Sequence, residues 1–108
     1  MSRTEALDRT ETYFQDGDFQ LELARRVAYR TESPALEQRP ELYRYLSDEL
    51  TPALESMGFS CRLYDNPIPD GCPFLVARRH EANGLPTVMS YGHGDVVLGY
   101  DDQWRDGL

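Results

Sequence analysis

Long apolar runs are missing from this chain, and no stretch approaches the roughly 20 residues that a membrane span needs. The opening Met1-Ser2-Arg3-Thr4-Glu5-Ala6-Leu7-Asp8 is polar and acidic, without the apolar stretch or cleavage pattern of a signal peptide. Cysteine is scarce. Cys61 and Cys72 are too few and too closely placed for a disulfide scaffold, so free thiols and a cytoplasmic setting are expected. Basic charge is also in deficit, with 11 Lys+Arg against 19 Asp+Glu and a net charge of −8. Nucleic acid and anionic membrane both reward a basic patch, so neither is an expected partner. Histidine occurs only as His80 and His93. Internal repeats and low-complexity stretches are absent.

What is present suits one small globular domain: 108 residues, 40% hydrophobic and 28% charged. The first half reads helical. Met1 to Gln15 predicts a short, weakly packed helix. Phe19, Leu23 and Val27 recur every four residues beside Ala24 and Ala28, while Glu22, Arg25, Arg26 and Arg30 fall on the polar face. Asp16-Gly17-Asp18 offers a turn and an N-cap to this helix, and Thr31-Glu32-Ser33-Pro34 closes it. A second long helix starts near Pro40, with Leu42, Leu46, Leu50, Leu54 and Met57 as its buried stripe. Pro52 should kink or split it, and Gly58 should cap its end.

After Gly58 the period changes to two. Phe59, Cys61 and Leu63 alternate with Ser60, Arg62 and Tyr64, as in a half-buried strand. A proline-rich loop from Asp65 to Pro73 leads to a second strand, Phe74 to Arg78, and Asn83-Gly84 marks a turn. Thr87-Val88-Met89-Ser90-Tyr91 is nearly continuous in apolar character and predicts a third, central buried strand. The expected fold class is therefore α/β, with helices packed on a small mixed sheet.

Directly after that third strand comes Tyr91-Gly92-His93-Gly94-Asp95-Val96-Val97. Residues i and i+2 of an extended backbone point to one side, so His93 and Asp95 can face each other across Gly94. A metal-bound imidazole commonly gives its second N–H to a carboxylate, which fixes the tautomer and raises ligand basicity. Gly92 and Gly94 remove side-chain bulk, so that a metal or substrate can approach the backbone. The loop also lies where open α/β sheets bind ligands, beyond the carboxyl end of a strand. The plainer alternative is a histidine in a tight glycine turn, with Asp95 capping the next segment of chain. One histidine cannot hold a catalytic zinc, which needs three or more protein ligands. His80, beside Arg78, Arg79 and Glu81, is expected in solvent. Asp101 and Asp102 are possible oxygen ligands, although adjacent loop carboxylates are usually just solvated.

The longer string Val88-Met89-Ser90-Tyr91-Gly92-His93-Gly94-Asp95-Val96-Val97, with Trp104 and Gly107-Leu108 downstream, resembles the N-terminal catalytic segment of the dinuclear zinc aminoacylase and carboxypeptidase family. That family includes succinyl-diaminopimelate desuccinylase, acetylornithine deacetylase, carnosinase-type dipeptidases and glutamate carboxypeptidases. The stretch from Tyr45 to Phe59 is similar as well, and the resemblance runs from about Asp18 to Leu108. It implies that His93 is a ligand of one of two zincs (or cobalt in their place) and that Asp95 is the catalytic-site carboxylate orienting it. Trp104 and Asp106-Gly107-Leu108 match the family's approach to its next metal-binding segment, with no metal role of their own. The other metal ligands, the glutamate base and the lid domain through which many members dimerise are absent. Residues 1–108 are thus expected to be part of a zinc-peptidase-like layered catalytic domain, inactive in isolation. The implied parent is a hydrolase of amide or peptide bonds in dipeptides or N-acyl amino acids. The rival readings are a noncatalytic interaction domain, an inactive fragment, and a different hydrolase with a His-x-Asp site.

Overall fold

The computed structural model describes residues 1–106. Helix α1, Arg3–Gln15, opens in a reciprocal cap: the Ser2 hydroxyl accepts from the Glu5 amide at 3.2 Å, and the Glu5 carboxylate accepts from the Ser2 amide. Two of the donors that a helix start leaves open are satisfied in this way. None of its 13 residues is buried. Helix α2, Asp18–Val27, begins at Gly17, whose φ of +86° makes the turn but supplies no capping side chain. The expected N-cap from the flanking aspartates is not made. Phe19 folds back on α1, its ring 6.2 Å from Tyr13 and 6.0 Å from Phe14.

The long second helix is a continuous helical run with a widened middle: α3 at Arg39–Arg44, a π segment at Tyr45–Leu50, and α4 at Thr51–Ser56. Pro40 sits in its first turn, as expected. Pro52 has no N–H, and its ring crowds the carbonyl four residues back. The chain accommodates it by widening the preceding turn, so that the Thr51 amide and hydroxyl both bond the Leu46 carbonyl, the hydroxyl at 2.8 Å. The expected kink or split is a π segment instead.

The run ends in a Schellman motif. The Gly58 amide bonds the Glu55 carbonyl at 2.9 Å and the Phe59 amide bonds the Leu54 carbonyl at 3.1 Å, with Gly58 at φ +86°. A Cβ at Gly58 would meet only the Arg79 side chain, at 3.8 Å, an ordinary contact. Gly58→Ala should therefore cost roughly 1 kcal/mol from the left-handed backbone alone. Urea unfolding of the two proteins measures it, and an unchanged midpoint would show that the cap contributes nothing.

Strand β1, Ser60–Tyr64, pairs antiparallel with β2, Phe74–Arg78, in a register that sets Cys61 opposite Ala77 and Leu63 opposite Leu75. Those four residues are the half-buried face of the ribbon, as the period of two predicts for Cys61 and Leu63. β1 lies against α4, where the Cys61 thiol faces the Thr51 carbonyl and burial pushes the thiol's pKa up. Both cysteines are free.

The third strand is not there. Thr87–Tyr91 belongs to no sheet, and Val88, Met89 and Tyr91 are 87%, 90% and 88% exposed. The sheet holds two antiparallel strands rather than the expected mixed set. An apolar run of this kind is stable as a strand only with neighbours on both edges and cover on both faces. Among the described residues nothing supplies them.

The core is correspondingly thin. Leu42 and Pro73 are the buried apolar residues among those described, and Thr31, Glu32 and Glu49 are the buried polar ones. Leu46, Leu50 and Leu54 are half-buried, and Met57 is exposed. The accessible surface is 9153 Å², against about 6,100 Å² for a compact chain of this mass. The radius of gyration is 17.0 Å, against about 13 Å. Among the described residues the architecture is a mixed arrangement of helices and a small two-stranded sheet. No helix among the described residues is long and apolar enough to cross a membrane.

Candidate functional site

His93 and Asp95 do come together. The His93 Nδ1 lies 3.0 Å from the Asp95 main-chain carbonyl and 3.4 Å from its carboxylate Oδ1. Both neighbours are acceptors, so the neutral ring carries its proton on Nδ1. Nε2 is left with its lone pair on a side chain that is 70% exposed.

The loop bearing the pair is anchored at the exit of α2. The Val96 amide donates to the Thr31 carbonyl at 2.9 Å, and the Ser33 amide donates to the Val96 carbonyl at 3.1 Å, a one-residue parallel bridge between Glu32 and Val96. The Glu32 carboxylate is buried under this bridge and accepts from Arg30 at 2.7 and 3.2 Å. Hydrogen bonding from Arg30 holds the Glu32 carboxyl below its ordinary range. Arg30 also reaches Asp101 at 3.4 Å.

Gly92 is as open as expected, since a Cβ there would meet nothing within 4 Å. Gly94 is not. A Cβ at Gly94 would lie 2.6 Å from Cε1 and 3.0 Å from Cδ1 of Tyr45, so the space is taken by an aromatic ring rather than left for a ligand.

His80 is exposed, as its polar neighbours imply. Asp101 and Asp102 stand exposed in a 3-10 turn, Asp101–Gln103, and Asp101 is engaged by Arg30. The Trp104 indole donates to the Gly99 carbonyl at 2.7 Å, and Asp106 pairs with Arg105. Gly107 and Leu108 lie outside the described residues.

An imidazole whose Nδ1 is held by Asp95 and whose Nε2 is open fits zinc as one ligand. Among the described residues no three His, Cys, Asp or Glu side chains converge.

Sequence reasoning missed Tyr45, Glu32 and Glu49. For the two glutamates there was a signal: all 11 Lys+Arg positions of the chain are arginine, whose planar fork suits bidentate pairing with carboxylates. For Tyr45 there was none. Compared with known proteins, the chain matches no family model, no curated protein and no solved structure.

Proposed function

We propose that this chain contributes one ligand arm to the active site of a zinc-dependent hydrolase of amide or peptide bonds in small substrates, dipeptides or N-acyl amino acids. The observation that carries the reading is the His93–Asp95 pair, with Nδ1 held at 3.0 and 3.4 Å on a side chain that is 70% exposed. It stands beside the resemblance of residues 88–97 to the dinuclear zinc aminoacylase and carboxypeptidase family. His93 Nε2 would hold the metal, and Asp95 would keep the ring in the ligating tautomer. Bound zinc supplies carbonyl polarisation and a lowered pKa for its water. The remaining ligands and the proton-accepting base are to be found outside the described residues. Cytoplasmic location and a dimeric parent belong to the same proposal.

The second reading, a noncatalytic interaction domain, is favoured by the exposed apolar side chains of Thr87–Tyr91 and the thin core. Zinc content separates the two. In the complete polypeptide, His93→Ala should lose zinc at one site and activity together. A variant that keeps its full metal content while its thermal stability falls would make His93 a turn residue and sink the ligand assignment.

A further inference from the structure

We propose that Tyr45 is a positioning residue for His93, acting through Gly94; the inference rests on reading His93 as a metal ligand. Tyr45 is the first residue of the π segment, and its ring fills the space that any side chain at position 94 would need. The ring also meets Tyr29, edge-on at 5.6 Å between centroids, just beyond the end of α2. The ring is thus held between the exit of α2 and the His93 loop.

That exit anchors the loop a second time. Tyr29 precedes Thr31 by two residues, and the Thr31 carbonyl takes the Val96 amide. The loop is therefore pinned on both sides of Asp95, at Gly94 by an aromatic face and at Val96 by a backbone bridge. Asp95 supplies both acceptors that meet His93 Nδ1. Its reach to the ring depends on the backbone dihedrals of Gly94, the residue with the widest conformational range in the segment. Tyr45 removes that range by contact. Filling space is a weaker account of the same ring: Tyr45 is only half-buried, and the atom it covers belongs to a residue with no side chain.

Long-range proton–nitrogen NMR of the His93 ring reads the orientation directly, at about pH 8, where an ordinary histidine is neutral. His80→Gln identifies the resonances. The wild type should show one Nδ1–H tautomer and a protected Val96 amide, and Tyr45→Phe, which keeps the ring, should match it. Tyr45→Ala should give mixed tautomers and about ten-fold faster exchange at Val96. Gly94→Ala should reproduce this from the other partner, and it keeps the test available if Tyr45→Ala does not fold. The double variant should be no worse than either single one, because residues acting through one contact are not additive. A single retained Nδ1–H tautomer in Tyr45→Ala or Gly94→Ala, with only a lower melting temperature, would overturn the proposal, as would additive effects in the double variant. Full zinc retention by His93→Ala would defeat the ligand reading while leaving the tautomer result standing, so the two failures are distinguishable.

Discussion

On the proposed zinc-hydrolase reading, Asp95→Asn should keep more metal than His93→Ala and still lose most of its rate. On the proposed reading, His93→Ala deletes the ligating nitrogen itself. Asp95→Asn preserves shape and leaves an oxygen near Nδ1, but removes the charge that strengthens the hydrogen bond and the basicity of the ring. Changes in this outer position typically cost about 10–100-fold in metal affinity or activity. The geometry places the loss in metal affinity at the low end. The Asp95 main-chain carbonyl, which any substitution retains, is closer to Nδ1 at 3.0 Å than the carboxylate at 3.4 Å. Zinc per chain measured beside steady-state rates decides the matter. Equal zinc loss in both variants would mean that Asp95 is itself a ligand, and an unchanged rate in Asp95→Asn would mean that the main-chain carbonyl orients the ring alone.

Glu49→Ala should be strongly destabilising for a polar substitution, by about 2 kcal/mol. Glu49 projects from the π segment toward α2, where its carboxylate accepts two hydrogen bonds from Arg25 at 2.8 Å and one from Arg26 at 3.3 Å. Arg26 also pairs with Glu22, which in turn accepts from the Tyr13 hydroxyl. The Glu49 side chain is 5% exposed, so its desolvation is offset by these partners. Arg25 is 60% exposed and returns to water when the carboxylate is lost, which holds the cost below that of stranding a buried charge. With so little apolar core, a loss of this size is a large share of the total, and the melting temperature should fall by roughly 10 °C.

Acid should act through the same group. Hydrogen bonds from Arg25 lower the folded-state pKa of Glu49 from the ordinary 4.5, and Arg30 does the same for Glu32. The unfolded chain therefore takes up these protons first as pH falls. The contribution to stability is complete above 4.5 and is lost on acidification through the folded values. Glu49→Gln should be less stable than the wild type at neutral pH, and the gap should narrow below about pH 4. Thermal melts across that range test it. Curves that stay parallel would exclude Glu49 as the titrating link between α2 and the π segment.

Local chemistry was legible in the sequence wherever a neighbour in the chain supplies the partner. Pro40 and Gly58 bound the long helical run as expected, because a missing N–H suits a first turn and a left-handed residue suits a last one. The alternation from Ser60 to Tyr64 became a strand with the expected half-buried face, and Phe74 to Arg78 became the second strand. His93 meets Asp95 because residues two apart need no distant element to meet. The capping box of Ser2 and Glu5 was not anticipated, although its three-residue spacing is equally local.

Tertiary structure decided the rest, through partners that lie far away in the chain. An apolar run such as Thr87–Tyr91 specifies a burial environment rather than a conformation, and among the described residues that environment is missing, so the segment lies exposed and outside any sheet. Pro52 announced a distortion, but widening to a π segment came from the way that turn keeps the Leu46 carbonyl bonded. Glu49 finds Arg25 from 24 residues away only because α2 lies beside the helical run. The gap at Gly94 reads in the sequence as room for a ligand, yet Tyr45 fills it: spacing along the chain sets which atoms can be near each other, and packing sets which of them are.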